Sequence, residues 1–342
     1  ELDVDEQLLY IAEVNNHRIR LVDLKTGIIS TFAGNGRREY VFTAGHALNI
    51  SIAAPRVVTL AKSAGVVFVS SSYKVSAIKL STMNMVPILT NAPLLDLPES
   101  ALLSPYGMVY DARSSSLYVS DASLNVIVKY DFITSTRSQA NVTRIMGHRF
   151  KRGFSGDGGL AVDALLSSPS YLDLDPDSNI LFVADTGNQV IRAVNLNTHV
   201  VTRFASSYLI GYSGDGGLAT HAKTGAFIGI TFDKQNKILY ASDLSNFNIR
   251  AVSSIQCYFG FFGPLPCKPC EPGSYSDVIG ATECKPAPVG TFVDGYSANF
   301  PKQCSEGFYS NTSGLTACFT CPNGTFADEE GSELCVPCPL GQ

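Results

Sequence analysis

The sequence predicts an all-β chain in two parts, a bladed propeller followed by an elongated, disulfide-rich rod of small repeats. Three observations carry that expectation. A strand-turn-strand hairpin recurs five times, no helical periodicity separates the copies, and all nine cysteines fall between Cys257 and Cys338.

The hairpin is clearest over residues 181–194, LFVADTGNQVIRAV, with near copies at 239–252 (LYASDLSNFNIRAV) and 9–22 (LYIAEVNNHRIRLV). In each, an apolar run of strand character ends on a carboxylate (Glu13, Asp185, Asp243). The chain then turns through an asparagine (Asn16, Asn188, Asn246) and re-enters a strand that carries arginine (Arg20, Arg192, Arg250). Looser copies begin at Val67 and Leu117, with Ser71 in the carboxylate's place in one and Val128 in the arginine's place in the other. Each unit divides into four short strands, which in the fourth unit span residues 171–175, 180–184, 190–195 and 200–205, with PDSN, TGN and NTH as turns. A single four-stranded unit cannot bury both of its faces, so five of them must stack as blades.

The elements AxLxxPxxLxxD, LFVADTGNQVIRAV and GxSGDGGLA resemble those of NHL-repeat propellers over residues 1 to about 256. The resemblance implies a propeller, in most members six-bladed, so five visible blades leave a sixth to be expected in a longer chain. Some relatives of this type are lyases that hold zinc on histidines at the propeller axis. The five histidines here, His17, His46, His148, His199 and His221, show no metal-ligand spacing and occupy no shared repeat position. A nucleophile elbow, a phosphate-binding loop and a dinucleotide fingerprint are also missing from the sequence. The expectation is therefore a protein without catalytic residues, metal or cofactor, with a metal-dependent lyase as the weakest reading.

A carboxylate that closes one strand and an arginine on the next face each other across a tight hairpin. This gives three structural ion pairs, Glu13 with Arg20, Asp185 with Arg192 and Asp243 with Arg250. A largely solvated pair contributes about 0–1 kcal/mol, so Arg192→Ala is expected to be mild. A further motif occurs twice, as GFSGDGGLA at 153–161 and GYSGDGGLA at 211–219. Four glycines around one aspartate permit positive φ and converging N–H groups, which could place Asp157 and Asp215 on an ion. The alternative is a tight crossover whose aspartate caps the next turn. One carboxylate per loop, against the roughly six to eight oxygens calcium requires, favours the crossover.

The tail keeps a period of 17. Cys270, Cys304, Cys321 and Cys338 share one phase, and Cys267, Cys284, Cys318 and Cys335 share another. Gly273, Gly290, Gly307, Gly324 and Gly341 follow the same step, as do Tyr275, Phe292, Tyr309 and Phe326. The pattern C-x2-G-x-[YF]-x8-C-x2-C resembles ephrin-receptor-like cysteine-rich repeats, which are extracellular. Nine cysteines leave connectivity open on spacing alone. The two phase positions that lack cysteine, Ala287 and Pro301, are spaced as Cys270 and Cys284 are, and two cysteines are lost together without an orphan thiol only if they were partners. The expected bridges are therefore Cys270–Cys284, Cys304–Cys318 and Cys321–Cys335, with Cys257–Cys267 closing the exit from the propeller. Cys338 is left over, its partner expected at the same spacing beyond Gln342. Residues 1–6, ELDVDE, align with YLDLDP at 171–176, so the chain is expected to begin inside a blade and end inside a module of a longer protein.

The tail holds nine acidic and three basic residues, whereas residues 1–256 hold 21 acidic and 22 basic, which gives no electrostatic reason to expect nucleic acid. No apolar run approaches the roughly 18 residues of a membrane span. Dense disulfides belong to an oxidising compartment, where the four sequons at Asn49, Asn141, Asn311 and Asn323 become acceptors for N-linked glycans. The reading is a secreted, non-enzymatic structural or adhesive glycoprotein, a module of a larger surface or filament assembly. Its partners are other extracellular proteins or copies of itself. The alternative is the ligand-binding ectodomain of a cell-surface receptor.

Overall fold

The computed structural model describes residues 1–40, 43–90, 102–131, 141–253, 261–262, 268–278 and 281–338. Its chain contacts divide it between Ala251 and Val252 into two units.

The first unit is a five-bladed propeller. Blade I is an antiparallel meander of β1 (Leu2–Asp3), β2 (Leu8–Glu13), β3 (Arg18–Asp23) and β4 (Ile28–Ala33). In blade II a two-residue strand, β5 (Gly45–His46), pairs with the outermost of β6 (Val57–Ala61), β7 (Val66–Ser71), β8 (Lys74–Lys79) and β9 (Asn84–Thr90), making a five-stranded sheet. Blade III comprises β10 (Pro105–Asp111), β11 (Ser116–Asp121), β12 (Val126–Asp131) and β13 (Asn141–Gly147). Blade IV comprises β14 (Leu172–Asp175), β15 (Ile180–Asp185), β16 (Val190–Asn195) and β17 (Val201–Ala205). Three strands of blade V lie among the described residues, β18 (Phe227–Asp233), β19 (Ile238–Asp243) and β20 (Asn248–Ser253).

The central strands carry Val, Ile, Leu and Phe on both faces because a blade is covered on both sides. Every residue of β15 and β16 is buried. The interior therefore lies between blades. Phe68, Val75 and Ala77 of blade II pack with Leu117, Val119 and Val126 of blade III. Tyr118 and Ile127 of blade III pack with Leu172, Leu181 and Val194 of blade IV. Phe182 of blade IV stacks on Phe232 of blade V at 5.1 Å.

Sequence and structure differ at the start of the chain. Leu2 pairs with Leu9, as Leu174 pairs with Leu181. Residues 1–3 therefore correspond to 173–175, two positions from the alignment the sequence suggests. The cause is the alternation Leu172-Asp173-Leu174-Asp175, which accepts either register on sequence grounds. The register places Asp3 and Asp175 at equivalent points, and the next blade holds each. Lys62 Nζ contacts Asp3 at 2.8 Å and Asp5 at 2.9 Å, and Lys237 Nζ contacts Asp175 at 3.1 Å and Asp177 at 2.8 Å.

The second unit is a stack of small hairpins. Ser274–Tyr275 pairs with Lys285–Pro286, Thr291–Phe292 with Lys302–Gln303, Phe308–Tyr309 with Phe319–Thr320, and Thr325–Phe326 with Val336–Pro337. The bonds between hairpins repeat at the same step of 17. The amides of Gly273, Gly290 and Gly307 donate to Val293, Ser310 and Ala327, and those of Ser297, Gly314 and Gly331 to Cys270, Ala287 and Cys304. Disulfides join Cys270 to Cys284, Cys304 to Cys318 and Cys321 to Cys335, with Cα separations of 5.7, 5.8 and 5.8 Å. These are the partners that the paired absences pick out. Where the cysteine pair is missing, Ala287 is fully buried and its amide donates to Gly273, as the amides of Cys304 and Cys321 do to Gly290 and Gly307. Cys338 is free among the described residues. Cys257 and Cys267 lie outside them.

Candidate functional site

The sequence-selected residues of blades IV and V come together in one cassette, built twice. In blade IV, Asp185 and Arg192 share a face of the β15–β16 hairpin as a diagonal pair, since Asp185 lies opposite Val190 and Arg192 opposite Val183. Their closest approach is 3.9 Å. The nearer partner of Arg192 is Asp157, in the GDGG crossover that precedes the blade. Arg192 Nη2 and Nε donate to Asp157 Oδ1 at 2.6 and 3.0 Å. The same guanidinium donates to the carbonyls of Leu165 and Ser155 at 3.0 and 2.9 Å, and it lies 5.3 Å from the ring of Phe154.

Asp185 is satisfied from other directions. The amide of Ser167 donates to it at 2.8 Å and Asn188 Nδ2 at 2.7 Å, and the same Asn188 nitrogen reaches the carbonyl of Gly153 at 2.8 Å. Burial pushes the Asp185 carboxyl up to about 6, against the pull of Asn188, the Ser167 amide and Arg192. Blade V repeats the set at the equivalent positions. Arg250 binds Asp215 at 2.6 Å, lies over Tyr212 at 5.0 Å and stands 3.9 Å from Asp243. Asn246 links Asp243 to the carbonyl of Gly211 at 2.8 Å each.

Two expectations are corrected here. Arg192 is not a solvated surface partner, because its side chain has no exposure at all. Asp157 and Asp215 each pair with an arginine of their own blade rather than capping the next turn, and among the described residues no cluster of three or more His, Cys, Asp and Glu is placed to hold a metal. The cassette clamps the crossover loop to the blade. The remaining units are partial versions. In blade I, Arg20 stands 3.7 Å from Glu13 and donates to the Ser30 carbonyl. In blade III, where arginine is absent, Asp121 accepts the amides of Leu103, Ser104, Ser123 and Leu124.

The innermost strands surround a cavity of about 650 Å³. Its lining is mixed and more polar than apolar, with the charged groups of Glu1, Arg56, Asp173 and Lys234 and the hydroxyl groups of Tyr10, Thr59, Tyr110, Tyr171 and Thr231 beside aliphatic side chains. Burial raises the Asp173 carboxyl, which the Phe232 amide reaches at 2.7 Å. No histidine lies among the lining residues. Of the sequon asparagines, Asn49, Asn311 and Asn323 are exposed.

Residues 307–342 match the family described as tyrosine-protein kinase ephrin type A/B receptor-like. The chain is 30% identical to teneurin-3 of Danio rerio over 218 residues and 28% identical to teneurin-1 of Gallus gallus over 208. Those stretches cover 61% and 58% of this chain but 8% of each teneurin. Among solved structures, an auxiliary nutrient binding protein from Bacteroides ovatus superposes with a TM-score of 0.51 at 13% identity, over 74% of this chain and 68% of that one. The chain thus carries a β-propeller and, over residues 307–342, repeats similar to those of ephrin receptors.

Proposed function

We propose that the chain is a non-enzymatic module of an extracellular adhesive or structural glycoprotein. Its propeller loops engage other extracellular proteins or further copies of the chain, and its disulfide repeats act as spacer or stacking element. The observation that carries this reading is the disulfide ladder. Hairpins whose paired strands are two residues long have too little apolar area to fold unaided, so they depend on bridges that persist only in an oxidising compartment. The likeness to teneurins and to ephrin-receptor-like repeats supports the same reading.

Expression through a secretory pathway, followed by non-reducing peptide mapping and N-glycanase treatment, tests it. The expected result is three bridges as assigned, with peptides containing Asn311 and Asn323 losing glycan mass. Free thiols at the six bridged cysteines in a chain that remains folded would overturn the reading. The axial cavity favours a second reading, a ligand-binding ectodomain, which a melting shift with a cavity-bound small molecule would support.

A further inference from the structure

Between Asp131 and Asp157 the chain has no acidic residue, and its run His148-Arg149-Phe150-Lys151-Arg152 sets three cations around an aromatic ring. The run leaves β13 through a tight turn, in which the Lys151 amide donates to the His148 carbonyl and Phe150 takes a φ of 61°. It then enters the crossover toward Phe154. Phe150, Lys151, Arg152 and Phe154 are all exposed. From the outer strand of blade IV, Arg203 extends over the ring of Tyr208 at 5.0 Å, and that ring lies 5.4 Å from Phe154. Tyr208 is itself 53% exposed.

Several other cations of the propeller, Lys62, Lys129, Arg192, Lys237 and Arg250, each face a carboxylate. Among the described residues no carboxylate lies within salt-bridge distance of Lys151, Arg152 or Arg203. The nearby Asp157 is already committed to Arg192.

We propose that this surface binds a sulfated polysaccharide. The cations are strung along an exposed stretch of chain rather than converging on a pocket, which suits a polymer with repeated anionic groups better than a single phosphate. Guanidinium groups pair with sulfate through two parallel N–H donors. The Phe154–Tyr208 pair adds exposed apolar faces of the kind on which pyranose rings stack, and a contiguous exposed patch of that kind marks an interaction site. The chain carries a net charge of −5, so attraction of a polyanion to this surface is local rather than a property of the whole molecule. The proposal rests on the extracellular reading only for where such a polymer is met.

The test is equilibrium binding of the whole chain to heparin and, as a polyanion without ring faces, to inorganic polyphosphate. The Lys151 side chain makes no hydrogen bond or ion pair among the described residues, so Lys151→Glu folds normally. It is compared with Lys25→Glu, an equal charge change on an exposed turn of blade I. Lys151→Glu is expected to weaken heparin binding roughly tenfold, and Lys25→Glu by less than about twofold. Tyr208→Ala is expected to weaken heparin several-fold and leave polyphosphate unchanged. No binding of heparin by the wild type, equal losses in the two lysine variants, or a tyrosine variant that affects both ligands or neither would overturn the proposal. None of these outcomes bears on the bridges or glycans by which the extracellular reading is judged.

Discussion

Arg192 and Asp157, 35 residues apart in sequence, meet at 2.6 Å with the arginine wholly shielded from water. Arg192→Ala would leave Asp157, Asp185 and two loop carbonyls facing a vacated space. Breaking a buried pair from one side costs about 3–5 kcal/mol. Arg20→Ala, at a partly exposed site 3.7 Å from its carboxylate, should cost no more than about 1 kcal/mol. Denaturant unfolding of the two variants checks the contrast. Arg192→Lys is expected to rescue little, since a lysine cannot serve one carboxylate and two carbonyls in a planar fork.

The Lys62 contact with Asp3 makes part of the propeller's stability depend on pH. The hydrogen bond from Lys62 lowers the Asp3 carboxyl below its ordinary value. A carboxylate depressed in the folded state stabilises above its unfolded pKa, and that contribution disappears as pH falls through the folded pKa. Melts of wild type and Lys62→Met should therefore differ at neutral pH and converge on acidification past the normal aspartate range. Asp185 acts with the opposite sign. Its carboxyl sits near 6, so stability from that group falls as pH rises from about 4 to 6 and is level above.

The hairpin without a disulfide can accept one. Ala287 already makes the backbone bond of the cysteine positions, and Pro301 follows it at the sequence separation of 14 that all three observed bridges share. Ala287→Cys with Pro301→Cys is expected to lose two hydrogens on oxidation, read by mass. The closed loop should add up to about 3 kcal/mol to the stability of the repeats.

Two glycines at the same repeat position separate backbone strain from steric conflict. Gly290 and Gly324 have φ of 78° and 85°. A Cβ on Gly290 would run into the carbonyl of Gly331, whereas one on Gly324 meets nothing within 4 Å. Gly324→Ala should cost about 1–2 kcal/mol, the penalty of a left-handed residue. Gly290→Ala should cost clearly more, and its hairpin should lose amide-exchange protection first.

The legible part of the molecule was the part written locally. β15 and β16 end within a residue of where the LFVADTGNQVIRAV turn signals place them, and the three observed bridges follow from the joint absence at Ala287 and Pro301. The cassette was half legible. The diagonal placement of Asp185 and Arg192 follows from strand alternation, but the stronger partner, Asp157, arrives from a crossover that no period within the hairpin reveals. A signal was available in the spacing from Asp157 to Arg192, which recurs unchanged between Asp215 and Arg250, and in the aromatic three positions before each aspartate. The fixed asparagine also had a purpose that pattern alone does not disclose, since Asn188 and Asn246 each tie a buried carboxylate to a glycine carbonyl of the loop.

Because each amide-to-carbonyl link in the tail is reproduced 17 positions along, the stack has no internal address. Each hairpin makes the same backbone links as its predecessor wherever both partners lie among the described residues. Evolution could therefore lengthen or shorten this segment by whole increments without redesigning any junction, which makes reach a quantity adjusted by duplication rather than by substitution.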